Sequence, residues 1–225
     1  FAAEGANVAI GDINDAAGET VVEEMRKLGV NAVFLHCDAT DEASTKAALD
    51  AACAAHGPIR HAFNNVGAPR GSTLEATSLE DWEATIRISL TSVFLGMKHE
   101  IPIMRAAGGG TIVNTASNTA NIIIPASSPG YTSAKAAVVH LSHYGSVVLA
   151  KDNIRVNSVS PGLTATDLIL KRHSPERQME ITRQSQNFTR MVQPSEIATA
   201  VLYLSSDDAA MVTGLDLEVG GGRLF

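Results

Sequence analysis

Tyr131 and Lys135 stand four residues apart in the run Tyr131-Thr132-Ser133-Ala134-Lys135. On a helix that spacing puts both side chains on one face, about one turn apart. An ammonium so placed favours the phenolate and is expected to draw the Tyr pKa down from about 10 toward neutrality. A phenol tuned this way exchanges a proton with an alcohol oxygen, and a nearby Ser hydroxyl can hold that oxygen in place. A lone Tyr-x-x-x-Lys is usually an exposed helix start, so its company decides the reading. Ser117 ends Asn114-Thr115-Ala116-Ser117, fourteen residues before the Tyr. Asn64-Asn65-Val66-Gly67 comes earlier still, and the run from Ile154 to Pro161-Gly162 comes after.

These residues need elements to position them. Short apolar runs at 7–10, 32–36, 59–63, 111–115, 155–159 and 215–219 read as strands. Longer amphipathic runs at 15–28, 41–56, 78–107, 131–151 and 194–206 read as helices between them. Alternation of this kind predicts an α/β fold, a doubly wound parallel sheet covered by helices on both faces, with ligands at the carboxyl ends of the strands. No repeat, low-complexity tract or linker interrupts the chain, so residues 1–225 read as one dinucleotide-binding and catalytic domain.

In their order and spacing, the three motif blocks resemble the short-chain dehydrogenase/reductase family over nearly the whole chain. Thr-Ala-Ser fourteen residues before the Tyr is most like the NAD-dependent alcohol dehydrogenases of the plant secoisolariciresinol dehydrogenase-like type. The resemblance implies a Rossmann-like fold and hydride transfer between a nicotinamide cofactor and a secondary alcohol or ketone. It makes Tyr131 the proton carrier and Ser117 the holder of the substrate oxygen. Lys135 then serves both Tyr131 and the nicotinamide ribose. Ser89 occupies the place where the family usually has Asn, whose main-chain carbonyl helps a water relay protons from the Lys to solvent. A non-catalytic binding or scaffold member of the same fold is the alternative; keeping Ser117, Tyr131 and Lys135 together favours the enzyme.

Asp12, at the end of the second expected strand of such a fold, is positioned to accept hydrogen bonds from adenosine ribose hydroxyls. No positive charge follows it in Ile13-Asn14, so NAD is expected rather than NADP. Helix capping is the competing role for Asp12, and Asp15 suits that role better. Asp38 is implied to reach the adenine, or else caps the helix from Asp41. By the resemblance, Asn64, Val66 and Gly67 close a turn against the cofactor ribose. Pro161, Gly162, Thr164 and Thr166 bracket the nicotinamide, with Thr166 on the carboxamide. Family members carry a glycine-rich phosphate turn upstream of the point where this sequence begins, so a first strand and that turn are expected outside it, over roughly 25 to 30 residues. Gly108-Gly109-Gly110 lies between helix and strand and reads as a plain turn.

Composition excludes other classes. Net charge is −7 and pI about 5.5, against a broad nucleic-acid surface. No apolar run is long enough to span a bilayer. Cys37 and Cys53 read as reduced, buried thiols of a cytoplasmic protein, and neither they nor the seven scattered His residues have metal-ligand spacing. By the resemblance, segment 168–191 lies where the family keeps its mobile substrate loop, and its apolar members, with Ile122 to Ile124, suggest a hydrophobic substrate. The basic members of that segment (Lys171, Arg172, His173, Arg177, Arg183, Arg190) read as a solvated helix face. The Ala-, Val- and Leu-rich helices at 78–107 and 131–151 suggest subunit pairing, and a homotetramer is expected.

Overall fold

The computed structural model describes residues 1–125, 127–172 and 174–222, with the side chains of Leu168 and Arg172 outside the description. His173 of the expected basic segment also lies outside the described residues, as does Ala126.

Among the described residues, six parallel strands are interspersed with eight α-helices: β1 Val8–Asp12, α1 Asp15–Arg26, β2 Ala32–His36, α2 Glu42–His56, β3 His61–Asn64, α3 Leu79–Ile86, α4 Ser92–Ala106, β4 Gly110–Thr115, α5 Pro129–Val148, β5 Ile154–Pro161, α6 Asp167–Arg172, α7 Pro175–Ser185, α8 Pro194–Ser205 and β6 Asp216–Val219. β1 pairs with β2, and β3, β4, β5 and β6 form a second ladder in that order. No ladder joins β1 to β3 among the described residues. The result is the predicted α/β, Rossmann-like parallel arrangement.

The central strands β4 and β5 bury almost every residue, as parallel strands covered on both faces must. On one side Val93, Met97 and Met104 of α4 and Val138 of α5 pack against Ile112, Ile154 and Val156. On the other, Val201 and Leu204 of α8 pack against Val113 and Val159. Caps set the helix starts: Asn14, Asp41, Ser78 and Ser174 each accept a hydrogen bond from a backbone amide in the first turn. The α1 cap is therefore Asn14, rather than Asp12 or Asp15. Pro at the first turn of α5, α7 and α8 fits the same rule, since its missing N–H would have no intrahelical partner there.

Three expectations change. The helix expected over 78–107 is broken by a π-helical turn at Arg87–Thr91, where Ser89 is wholly buried. Segment 168–191, read as a substrate loop, carries two helices, α6 and α7. Cys37 and Cys53 are half-buried rather than buried, because each lies where a strand end or helix flank meets solvent. The Gly108–Gly110 segment is a turn, with Gly108 and Gly109 at φ +84° and +133°, conformations that favour glycine.

Candidate active site

The first turns of α5, the end of β4 and the turn after β3 meet at the carboxyl edge of the second sheet. α5 brings Tyr131 and Lys135 there on one face, as their spacing requires. Lys135 is 1 % exposed, which for an ammonium demands partners. It donates to the Thr115 carbonyl at 2.6 Å and to the Val66 carbonyl at 3.3 Å. Gly67 makes this possible: a methyl at its Cβ position would lie 2.8 Å from Lys135 Nζ. Desolvation draws the Lys135 pKa down to about 8.

Tyr131 behaves differently from the sequence expectation. Burial pushes its phenol above the ordinary value, and a hydrogen bond with Ser117 pulls the other way. The Lys135 ammonium faces two carbonyls and lies 5.7 Å from the Tyr131 ring centroid. Ser117 is buried after β4 and caps the short 3-10 turn Asn118–Ala120, accepting from the Thr119 amide at 3.3 Å and the Thr119 hydroxyl at 3.1 Å. It thus fills the turn-forming role and faces Tyr131 as well. Ser89 lies alongside: its hydroxyl meets the Ala68 amide at 3.3 Å and the Ala68 carbonyl at 3.4 Å. The π turn and the Lys-bearing site therefore touch through residues 66–68, and π turns of this kind recur at functional sites.

Asn64 supports the turn from beneath. Its amide donates to Glu100 Oε2 at 3.2 Å and to Asn114 Oδ1 at 3.0 Å, and Asn114 passes on to Ser142 at 3.0 Å. Glu100, Asn114 and Thr115 were not singled out by sequence reasoning. A lone acid on the apolar face of α4, four residues after Gly96, was the available signal for Glu100.

The remaining expected residues line the strand ends. Asp12 is exposed at the end of β1 and accepts from the Asn14 amide at 2.9 Å. Asp38 accepts from the amide and hydroxyl of Thr40, which hold its carboxyl below the usual range; the α2 cap is Asp41, so Asp38 is not the cap. Pro161 ends β5 and Gly162 follows. The Thr164 hydroxyl donates to the Gly162 carbonyl at 3.0 Å, and the Thr166 hydroxyl accepts from the Ile169 amide at 3.4 Å. No described His reaches this cluster through a hydrogen bond, and no metal-binding group of His, Cys, Asp or Glu exists among the described residues.

A Ser, a Tyr and a buried Lys converging at the strand ends of a parallel α/β sheet define a Rossmann-type oxidoreductase. Residues 1–223 match the family model described as enoyl-(acyl carrier protein) reductase, and the chain belongs to the short-chain dehydrogenase/reductase family. It is 37 % identical to a cyclohexanol dehydrogenase of Acinetobacter sp. (strain SE19), over 98 % of this chain and 86 % of the relative. It is 36 % identical to a cyclopentanol dehydrogenase of Comamonas sp. (strain NCIMB 9872), over 99 % of this chain and 88 % of the relative. The fold superimposes on a 7α-hydroxysteroid dehydrogenase complexed with NADH and 7-oxo glycochenodeoxycholic acid with a TM-score of 0.93. That match has 32 % identity and covers all of this chain and 87 % of the other. No helix among the described residues is long and apolar enough to cross a membrane.

Proposed function

We propose that the protein is an NAD-dependent dehydrogenase of apolar secondary alcohols, working reversibly on the matching ketones, with residues 1–225 acting as one dinucleotide-binding and catalytic unit. The observation that carries this reading is the convergence of Ser117 and the half-buried Tyr131, one helical turn from a buried Lys135. The ring alcohols in the names of two relatives agree with it, and point to cyclic substrates.

The chain fits the two ends of a dinucleotide. The exposed Asp12 carboxylate suits ribose hydroxyls and would repel a 2′-phosphate; Gly67 lets backbone approach closely; Pro161, Gly162, Thr164 and Thr166 lie at the end of β5 for the nicotinamide. Asp38 stands further along the same edge, for the adenine. When bound, the nicotinamide accepts or returns the hydride of the carbinol carbon. Every other duty falls to side chains. The Ser117 hydroxyl holds the substrate oxygen, and Tyr131 as phenolate takes its proton as the C–O bond becomes a carbonyl. In the reverse direction the Tyr131 phenol gives the proton back. Lys135 holds the turn at Val66 and supplies the positive charge, and Ser89 keeps residues 66–68 in register beneath it.

NADH formation with cyclohexanol and cyclopentanol, followed by absorbance, tests the activity; no turnover across a panel of secondary alcohols would sink it. For Asp12→Ala, the KM for NAD is expected to rise and its lead over NADP to narrow. A wild-type preference for NADP would remove Asp12 from the ribose. The reading extends to a cytoplasmic homotetramer, motivated by the exposed Phe94 on α4 and the exposed Tyr144 and Val147 on α5. Light scattering that reports a monomer at micromolar concentration would refute the assembly.

A further inference from the structure

Arg70 lies three residues beyond Gly67, where the turn that touches Lys135 runs on toward α3. Its backbone is fastened at both ends. The Arg70 amide donates to the Thr85 hydroxyl at 3.0 Å, and the Arg70 carbonyl accepts from the Ser128 hydroxyl at 2.5 Å. Ser128 stands three residues before Tyr131. Thr85 and Trp82 also pack against Gly130, whose Cβ position lies 3.3 Å and 3.4 Å from them. The contact that seats the first turn of α5 therefore also fixes Arg70, between the Lys135 side of the site and the Tyr131 side.

The side chain, by contrast, is exposed and has no hydrogen bond or ion pair among the described residues. Most described basic residues of the substrate segment are neutralised: Lys171 by Asp167 at 3.4 Å, Arg177 by Glu180 at 2.7 Å, Arg190 by Glu196 at 2.6 Å. Arg183 has no ion pair but shares its surface with Glu176 and Glu180. A guanidinium that only solvates a loop needs no anchored backbone. Moreover, on a protein of net charge −7 the overall field repels anions, so an uncompensated cation on the turn beside the site matters locally.

From this placement we infer that Arg70 is a specificity-determining residue that receives a carboxylate carried by the substrate, at a distance from the carbinol carbon. The guanidinium fork matches a carboxylate with two parallel hydrogen bonds, which a Lys point charge does not reproduce. The inference rests on the proposed alcohol dehydrogenation and narrows its substrate class to ring alcohols with an anionic substituent.

Two measurements on the whole protein test it. The first titrates cyclohexanecarboxylate, which lacks the reacting hydroxyl, calorimetrically into wild type, Arg70→Met and Arg70→Lys. Binding is expected to weaken at least about tenfold in Arg70→Met, with partial recovery in Arg70→Lys and a stronger salt dependence in wild type. The second compares kcat/KM for 4-hydroxycyclohexanecarboxylate and cyclohexanol. Arg70→Met should lower the first about tenfold, mainly through KM, and leave the second within about twofold. Equal anion binding by wild type and Arg70→Met overturns the inference, whatever the turnover. Loss of anion binding in the variant, with no ring alcohol oxidised by wild type, upholds Arg70 and overturns the proposed function instead.

Discussion

At the scale of single residues, the site is governed by which group touches the phenol. Burial raises the Tyr131 pKa and Ser117 is the group that lowers it, so Ser117 has a second duty besides holding the substrate oxygen. Ser117→Ala is therefore expected to lower kcat by about 10²-fold or more, the loss typical of one oxyanion-type donor. It should also move the acid limb of the oxidation pH–rate profile upward, because the phenol must lose its proton before it can act as base. A fall in kcat with no movement of that limb would assign Ser117 to the substrate oxygen alone. Tyr131→Phe has no proton to exchange and is expected to lose at least about 10²-fold in kcat over the whole pH range. Turnover close to wild type in that variant would take Tyr131 out of the chemistry. Lys135 is the opposite case: its ammonium is depressed to about 8, so alkaline solutions above that value discharge it.

At the scale of elements, the turn after β3 is what lets a Lys on α5 reach one carbonyl at the end of β4 and another in the turn itself. Gly67→Ala places a methyl 2.8 Å from Lys135 Nζ and 3.0 Å from its Cε, the far end of a flexible chain that can swing away. The fold should survive, with the melting temperature within a few degrees of wild type, while kcat/KM falls at least about tenfold as Lys135 leaves Val66. Unchanged kcat/KM would show that Lys135 works equally well elsewhere. Much of this frame is readable in the sequence. Apolar runs located all six strands within a few residues, and the Tyr–Lys spacing located their shared face. What escaped reading depends on contacts between distant segments. Arg87-Ile88-Ser89-Leu90-Thr91 has no Gly or Pro, so helical periodicity runs straight through it. Only the meeting of Ser89 with Ala68 marks the π turn. The start of α7 had a local signal, Ser174 before Pro175, and the basic residues read as a helix face, but the family resemblance implied a loop there. Likewise the Lys135 partners are main-chain carbonyls, which carry no residue identity to recognise.

At the scale of the whole molecule, a buried polar chain crosses the sheet behind the site. Glu100 of α4, Asn64 of β3, Asn114 of β4 and Ser142 of α5 are linked in series, joining four elements around the apolar cluster of α4 and α5. Gly96 makes room for it, since a methyl there would lie 2.4 Å from Asn64 Oδ1. Such networks stabilise only where their members are satisfied, and Glu100 has a neutral amide rather than a cation as its partner. Desolvation accordingly pushes its pKa up to about 7, from an ordinary 4.5. Between those two values the folded state binds the proton and the unfolded state does not, so stability is greatest at the acid end and falls as pH rises through the window. The whole span is worth about 3 kcal/mol at most, from the size of the shift. Glu100→Gln keeps an acceptor for Asn64 and removes the charge. The variant should match wild type near pH 4.5 and exceed it above pH 7, with urea midpoints diverging steadily between. A difference that is the same at pH 5 and pH 8 would mean that Glu100 does not change charge on folding, and that the chain from α4 to α5 is held by packing alone.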